Sequence, residues 1–213
     1  MCGAGTRTSA ITLGSAPGCR WDRAAGAPTA RTPNPILYSR LRPLHHHLYL
    51  LRHAKSSWED PALADRERPL AKRGRKACKL IARHLRERGV EPSAALVSPA
   101  LRAQQTYDRV ARGLPEDAAH WTEPRLYTAD SGDLIEVLRE IPADFRSVLL
   151  VGHNPSIQGL ATRLATDGNG LADLHRKFPT GALATLSFAV PWVELRPGVA
   201  ALDEFVRPKQ LAR

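Results

Sequence analysis

The sequence predicts a layered α/β fold with a largely parallel sheet, because short apolar runs alternate with amphipathic stretches along residues 44–213. The chain has 213 residues, of which 43% are apolar and 24% charged, and this balance is typical of one domain with a sizeable core. The longest apolar runs have the length of strands and fall short of the ~18 residues that cross a bilayer. We therefore expect a single globular domain without a membrane segment.

The first two predicted elements are a strand and a long helix. The apolar run 47–51 predicts a strand, which leads directly into an Arg-His pair. Apolar residues at helical spacing predict a helix over residues 70–88. Gly89 follows this segment, and a glycine just past the last turn is typical of a helix C-terminus.

The next predicted elements are a second strand and two helices. Residues 94–97 are all small or apolar and predict a buried strand. We expect Ser98 to cap a helix that has Pro99 in its first turn and ends near residue 113. Ser131 is the candidate cap of a further helix over residues 132–140.

The C-terminal part of the chain predicts a strand, a helix and two late strands. Residues 147–151 form the most apolar strand candidate, and Pro155 opens a helix that ends near residue 165. Residues 182–189 and 192–195 have the composition of late strands. Strands that alternate with helices in this way favour parallel neighbours in one sheet.

The N-terminal segment 1–43 differs from the rest of the chain in composition. It is rich in Ala, Gly, Pro, Thr and Arg, and it carries +5 of the net charge of +10. Such a segment cannot bury enough apolar surface to fold, so we expect a disordered tail over residues 1–43 and one domain over residues 44–213. A targeting peptide, or a start codon placed too far upstream, would give the same composition.

The remaining charge and the cysteines limit the class of protein. Residues 44–213 are only mildly basic, which suits a ligand with a phosphate group better than a nucleic acid. We expect neither a nucleic-acid nor a membrane partner. Cys2, Cys19 and Cys78 are too scattered for a disulfide framework or a zinc site, so a reducing, cytoplasmic location is the simpler expectation.

Basic and imidazole side chains follow three predicted strands, at the point where each strand ends. Arg52 and His53 follow the first strand, Arg102 lies just beyond the second, and His153 follows the strand over residues 147–151. The carboxyl ends of parallel strands meet at one edge of a sheet, where ligands bind. Arginine forks match phosphate oxygens, helix N-termini favour anions, and neutral histidine is a nucleophile. The pattern predicts a site for a phosphoryl group.

Four sequence blocks resemble the histidine phosphatase superfamily in order and spacing, and most closely its small SixA-type phosphohistidine phosphatases. The blocks are LRHAKSSW (residues 51–58), RPLAKRG (68–74), SPALRAQQT (98–106) and VGHNP (151–155). The resemblance covers roughly residues 47–210. It includes PTGA at 179–182 and FVRPKQL at 205–211. It implies a three-layer α/β/α sandwich with a mainly parallel central sheet, like that of phosphoglycerate mutases.

The same resemblance implies a role for each matched residue. His53 corresponds to the nucleophile that becomes a phosphohistidine intermediate, and His153 to the second catalytic histidine of the pocket. Arg52 and Arg102 correspond to the arginines that bind the phosphoryl oxygens. The family needs no metal, so we expect no cofactor.

The sequence offers no clear proton donor of the kind that mutases and many phosphomonoesterases carry. Asp60 and Glu123 are the nearest candidates for such an acid. Imidazole has a pKa near ~6.5 and leaves far more easily than an alkoxide, so it needs less proton assistance. The pattern therefore favours phosphohistidine in proteins as the substrate. The alternatives are a phosphatase of a small phosphate ester and a phosphate- or polyanion-binding module without turnover.

Three further features have simpler interpretations. Arg68 is expected to form an ion pair with Asp65 or Glu67. The run His45-His46-His47 suggests a metal site, but neighbours on a strand point to opposite faces, which argues against one. The helix over residues 70–88 has a basic face that is most simply solvated, although it could dock an acidic protein. This basic face comprises Lys72, Arg73, Arg75, Lys76, Lys79, Arg83, Arg86 and Arg88.

Overall fold

The computed structural model describes residues 45–115 and 118–212, and these residues build one mixed sheet covered by helices. The strands are β1 (His46–Arg52), β2 (Ala94–Val97), β3 (Ala119–Thr122), β4 (Ser147–Gly152), β5 (Ala165–Gly168), β6 (Leu183–Phe188) and β7 (Ala200–Val206). The helices are α1 (Lys72–Glu87), α2 (Leu101–Val110), α3 (Ser131–Arg139), α4 (Ser156–Leu164) and α5 (Leu171–Arg176). Short 3-10 helices occupy Asp65–Glu67, Ala111–Gly113, Pro124–Tyr127, Trp192–Glu194 and Pro208–Leu211.

The seven strands lie in the order β3-β2-β4-β1-β6-β7-β5. The pairs β3–β2, β2–β4, β4–β1 and β7–β5 are parallel, whereas β6 is antiparallel to both of its neighbours. The prediction of a mainly parallel central sheet is confirmed. Parallel neighbours need helical crossovers, and these crossovers place helices over both faces of the sheet.

The central strands are apolar on both faces because a helical layer covers each face. Tyr49 and Leu51 of β1 point into a core shared with Ile81 and Leu85 of α1 and with buried residues of α2. The alternate residues of β1, such as Leu50, are equally buried and face the opposite layer, where α3 and α4 pack together. This arrangement is the expected three-layer α/β/α sandwich.

Helix α1 packs closely against the segment that follows β1. A Cβ atom at Gly74 would lie 2.2 Å from the carbonyl oxygen of Lys55, so only glycine permits this approach. The helix ends one residue before Arg88, and Gly89 follows with φ of +62°. The sequence-based prediction of α1 and of its C-terminal glycine is confirmed, with the start two residues later than expected.

Two predicted helix caps are wrong by one or two residues. The helix expected to start at Ser98 begins at Leu101, because Ala100 remains extended. The Ser98 hydroxyl is hydrogen-bonded to Nε2 of His153. The cap of α3 is Asp130, not Ser131, since the Asp130 carboxylate accepts hydrogen bonds from the backbone of Gly132 and Asp133. A carboxylate that accepts two backbone bonds outcompetes the neighbouring hydroxyl.

The last strands are the least well predicted part of the fold. The segment 192–195 is not a strand, because the Trp192 indole is buried and donates to the carbonyl of Phe145 at 2.7 Å. Strands β3, β5 and β7 were not predicted from the sequence. Strands β3 and β5 are four residues long and lie at the two sheet edges, so their local pattern is weak.

The predicted tail 1–43 and its Arg-rich composition lie outside the described residues, as do Cys2 and Cys19. The third cysteine, Cys78, is a buried free thiol on α1. Within residues 45–115 and 118–212, no helix combines the length and the apolar composition that a membrane span requires.

Candidate active site

Three adjacent parallel strands place the predicted site residues at one edge of the sheet. Arg52, the last residue of β1, is in register with Gly152 of β4, and the His53 amide donates to the Gly152 carbonyl at 3.0 Å. On the other side of β4, the Ser98 amide donates to the Val151 carbonyl at 3.0 Å. Residues 52–53, 98–102 and 152–155 therefore meet at the carboxyl ends of β1, β2 and β4, as predicted.

His53 is held in the tautomer that a nucleophile needs. Its Nδ1 atom lies 2.8 Å from the Ala54 carbonyl oxygen, which accepts only from a protonated nitrogen, so Nε2 carries the lone pair. Thr106 supports this turn, because its hydroxyl oxygen accepts from the Ala54 amide at 3.0 Å. Burial lowers the pKa of His53 to about 3, despite the hydrogen bond to Ala54 that favours the charged form. His53 is thus a neutral imidazole at pH 7.

His153 faces His53, with 4.9 Å between the two ring centroids. Its Nε2 lies 2.7 Å from the Ser98 hydroxyl oxygen, and its Nδ1 lies 3.5 Å from an Arg102 nitrogen. The ring of Tyr127 meets it edge-on at 5.7 Å between centroids. Burial and the positive charge of Arg102 lower the pKa of His153 to about 4. The second imidazole is therefore also neutral and is held by contacts on both nitrogens.

Arg102 is fixed beside His153 by Asp65. One guanidinium nitrogen donates to the Asp65 backbone carbonyl at 2.5 Å and the other to the Asp65 carboxylate at 2.8 Å. Tyr127 donates its hydroxyl to the same carboxylate at 3.1 Å. Partial burial opposes ionisation of Asp65, but the hydrogen bonds from Arg102 and Tyr127 keep its pKa below the ordinary value. Asp65 is therefore an ionised partner of Arg102.

Arg52 has a guanidinium N–H donor without an acceptor among the described residues. One of its terminal nitrogens donates to the Phe178 carbonyl at 2.7 Å, which fixes the side chain. Its Nε is buried and has no acceptor among the described residues. The turn that carries Gly181 holds the end of β1, since the Gly181 amide donates to the carbonyls of Arg52 and His53 at 3.1 Å. A buried, unpaired guanidinium donor is suited to an anion in the pocket.

The two candidate acids lie in different surroundings from the histidines. Asp60 is exposed, and its carboxylate accepts from the Ala62 amide of its own turn at 2.9 Å. Glu123 is only 1% exposed, and its carboxylate accepts from the backbone and side chain of Arg125 at 3.0 Å. Hydrogen bonds to Glu140 and Glu123 raise the pKa of Arg125. Glu123 is therefore engaged in a buried ion pair with Arg125.

Some residues of the site are absent from the sequence-based prediction. Asp65 was expected as a partner of Arg68, and that ion pair is present at 3.5 Å. Its contact with Arg102 spans 37 residues, so no local pattern reveals it. Ser98 and Thr106 lie within the block SPALRAQQT, which was the signal that could have identified them.

The histidine run 45–47 serves the fold in the structure. His46 is buried, stacks on Phe188 at 5.5 Å between centroids and meets Trp192 edge-on at 5.4 Å. His47 lies 3.9 Å from a carboxylate oxygen of Asp203. Across the part of the chain that the structure describes, no group of three or more His, Cys, Asp or Glu side chains is arranged to hold a metal ion.

The geometry supports chemistry on a tetrahedral oxyanion. Two arginines supply fixed positive charge, one neutral imidazole has a free Nε2, and a second imidazole lies 4.9 Å away. Helices α2 and α4 both begin at this edge, and their N-terminal amides add positive potential. The pocket can bind a phosphoryl group and attack it with nitrogen.

Comparison with known proteins agrees with this geometry. The family model described as "Histidine phosphatase superfamily (branch 1)" matches residues 48–143, a range that includes Arg52, His53 and Arg102. Uncharacterized protein Rv1276c of Mycobacterium tuberculosis (strain H37Rv) is 37% identical over 163 residues, which cover 75% of this chain and 100% of that protein.

Two solved structures resemble this fold. One is assigned to the phosphohistidine phosphatase SixA of Nakamurella multipartitia; it is 27% identical, has a TM-score of 0.67, and aligns over 77% of this chain and 96% of that one. The other is the protein histidine phosphatase SixA complexed with tungstate, 26% identical with a TM-score of 0.64. That alignment covers 78% of this chain and 99% of the SixA chain.

Proposed function

This chain belongs to the histidine phosphatase superfamily, and from this premise we propose that it is a metal-independent phosphatase acting on phosphohistidine in proteins. The observation that carries the proposal is the pair of neutral imidazoles, 4.9 Å apart, beside Arg52 and Arg102. The likeness to a SixA complexed with tungstate, a tetrahedral oxyanion, supports a phosphoryl ligand. We also propose a cytoplasmic location for the protein.

The first step transfers the phosphoryl group to His53. The Nε2 lone pair attacks phosphorus while the bond from phosphorus to the substrate imidazole breaks. The bonding electrons remain on the leaving nitrogen, and a substrate ring that is protonated on its other nitrogen leaves as neutral imidazole. The Nδ1 hydrogen bond to the Ala54 carbonyl holds the ring during this transfer. Charge on the three equatorial oxygens is stabilised by Arg52 and Arg102, beside which His153 lies, and such fixed electrostatic stabilisation is the main catalytic contribution.

The second step releases phosphate. Water attacks phosphorus in line with the bond to His53 Nε2, that bond breaks, and its electrons restore the neutral imidazole. The water proton that is lost passes to a phosphate oxygen or to solvent. Burial keeps the pKa of His53 low, so the imidazole leaves without a dedicated proton donor. Metal independence follows from the same reasoning, because the arginines supply the positive charge.

The placement of the candidate acids supports a phosphoramidate over a phosphate ester. An alkoxide leaving group needs a proton donor next to the substrate. Asp60 lies in an exposed turn and Glu123 is paired with Arg125, and we propose that neither serves as the proton donor. A substrate imidazole leaves more easily and fits a pocket whose carboxylate, Asp65, is ionised.

Replacing the nucleophile tests the reaction. We expect His53→Ala to lower kcat/KM by at least about 10³-fold and to abolish an acid-labile phosphoenzyme, because no other imidazole has a free nitrogen at that point. The exposed residue His175 provides the control, and His175→Ala should retain full activity. A phosphoenzyme that still forms in His53→Ala would disprove the assignment of the nucleophile.

A substrate panel tests the specificity. Phosphate release should be fastest from a phosphohistidine protein, slower from phosphoamino acids and sugar phosphates, and unchanged by a chelator. A sugar phosphate that exceeds phosphohistidine by orders of magnitude in kcat/KM would instead favour the phosphate-ester alternative. Tight phosphate binding without any release would favour a binding module.

A further inference from the structure

A second cationic site lies outside the catalytic pocket, between α1 and α2. A cavity of about 360 Å³ opens there, and the described residues that line it are all lysines or arginines. The lining residues are Lys72, Arg75, Lys76, Lys79, Arg109 and Arg112. We refer to this cavity as the cationic groove.

The cations of the groove are not neutralised by the described part of the protein. Within residues 45–115 and 118–212, none of the six forms an ion pair with a carboxylate. Arg75 donates to the backbone carbonyl of Leu70 and Arg109 to that of Gln105, and these contacts fix position but leave the charge uncompensated. Like charges that share one cavity repel, so an anionic ligand would relieve this repulsion.

The groove begins beside the loop that walls the catalytic pocket. Lys72 is the first residue of α1 and lies two residues after Leu70. Leu70 forms a β-bridge with Ser56, and its amide donates to the side-chain oxygen of Gln105 in α2. Ser56 is only three residues beyond His53. From Lys72 to Lys79 the groove extends about 10 Å along α1, at 1.5 Å per residue. The groove therefore begins at the end of α1 that follows the loop carrying Asp65.

A neighbouring cavity adds apolar contacts to the groove. A second cavity, of about 380 Å³, shares Lys76 and Lys79 with the first and is also lined by Leu80, Arg83, Leu211 and Ala212. A cavity lined by both aliphatic side chains and lysines suits a polypeptide that carries acidic and apolar residues. Among the described residues that line the two cavities none is aromatic, whereas aromatic platforms are typical of sites for single-stranded nucleic acid.

We propose that the cationic groove docks an acidic segment of the phosphoprotein substrate. This inference rests on the proposed function, since it requires that the substrate be a protein. Docking raises the local concentration of the phosphohistidine at His53 and selects among phosphoproteins by charge. A small phosphorylated compound fills only the pocket and gains nothing from the groove.

Direct binding tests the groove without any turnover. The probe is a labelled, unphosphorylated peptide with six consecutive glutamates, compared with its glutamine version at low salt. We expect the double variant Lys76→Glu with Lys79→Glu to lose at least tenfold in affinity for the glutamate peptide. Arg146→Glu with Arg196→Glu changes the net charge equally at exposed positions away from the groove and should lose less than twofold.

Turnover then links the groove to the substrate. A phosphohistidine peptide carrying the glutamate run should show at least a tenfold higher KM in the groove variant with kcat unchanged. Hydrolysis of phosphoramidate, a small probe, should be the same in wild type and both variants. High salt should abolish the advantage of the glutamate run in the wild type.

Three results would overturn the docking proposal. One is equal binding of the glutamate peptide by the wild type and the groove variant, and another is equal loss in the control variant. The third is tighter binding of a single-stranded oligonucleotide of the same charge, lost in the groove variant. If no phosphohistidine substrate is hydrolysed at all, the proposed function fails, and the peptide-binding experiment still decides whether the groove binds acidic segments.

Discussion

At the scale of the single residue, burial determines the protonation state of the two histidines. His53 and His153 are each 8% exposed, and desolvation is the largest contribution to the lowered pKa of both. The neighbouring Arg52 and Arg102 add to it, because a second positive charge beside them is unfavourable. The same arginines that we propose bind the phosphoryl group therefore favour the neutral form of His53.

The pH dependence of catalysis follows from these pKa values. A histidine with its ordinary pKa near 6.5 would lose nucleophilic character below that pH. Burial lowers the pKa of His53 to about 3, so the neutral form persists and kcat/KM should stay within twofold between pH 7 and pH 5.5. The measurement is a pH–rate profile corrected for the titration of the substrate. An acidic limb centred near pH 6.5 would contradict this assignment.

Asp65 acts through Arg102 and is a positioning residue. Asp65→Ala removes the carboxylate that holds Arg102, so we expect kcat/KM to fall about tenfold, which corresponds to about 1.4 kcal/mol. Asp65→Asn should recover part of the loss, because its amide oxygen still accepts from Arg102. The measurements are kcat, KM and the inhibition constant of inorganic phosphate.

Asp60 is the matched control for Asp65, because it is an exposed aspartate in the same loop. Asp60→Ala should change kcat/KM by less than twofold. If Asp60→Ala and Asp65→Ala lose activity equally, the role of Asp65 as the residue that positions Arg102 is wrong.

At the scale of the element, strand ends and tight turns set the geometry of the pocket. Strands β1 and β4 end side by side, and the Gly181 turn closes over the end of β1 through two backbone bonds. Helix α1 supports the next segment, because Gly74 lies directly against Lys55. The position of His53 thus depends on the close contact between Gly74 of α1 and the backbone of Lys55.

Gly74→Ala tests this packing. Alanine favours a helix by about 1 kcal/mol over glycine, but its Cβ would lie 2.2 Å from the Lys55 carbonyl oxygen. The clash involves backbone and outweighs propensity, so we expect a net loss of about 1–3 kcal/mol in the free energy of unfolding, together with lower activity. Denaturant unfolding measures the first effect. The exposed neighbour Arg73→Ala should change stability by less than about 0.5 kcal/mol. A stabilised Gly74→Ala would contradict the close packing.

At the scale of the whole molecule, the sheet order brings distant parts of the chain to one pocket. The order β2-β4-β1 places residues 52–53, 98–102 and 152–155 next to each other, although about 50 residues separate them along the chain. The loop between β1 and α1 then returns Asp65 to the same pocket. An anion bound there contacts several segments at once and should stabilise the native state.

Thermal unfolding with tungstate or inorganic phosphate tests this coupling. A ligand at 100 times its Kd adds about 2.7 kcal/mol of stability, which is about 5–10 °C in Tm for a domain of this size. Arg102→Ala should lose most of the shift, and Arg146→Ala, an exposed cation away from the pocket, should retain it. An equal shift in both variants would place the anion elsewhere.

The sequence alone determined the fold class and the central strands, and it predicted which residues meet at the pocket. Buried parallel strands such as β2 and β4 have continuous apolar patterns. Arg52, His53, Arg102 and His153 lie at the end of a strand or shortly after one. Such features depend on local composition, on periodicity and on the rule that parallel strands end at one edge. They are visible before any contact is known.

Only the tertiary structure decided the remaining features. The short edge strands are strands because a neighbour pairs with them. Asp65 binds Arg102 because the loop folds back, and Glu123 is buried and paired with Arg125. The protonation states of the histidines also depend on burial by segments remote in sequence. Each of these features arises from long-range contacts and desolvation, which local residue patterns do not encode.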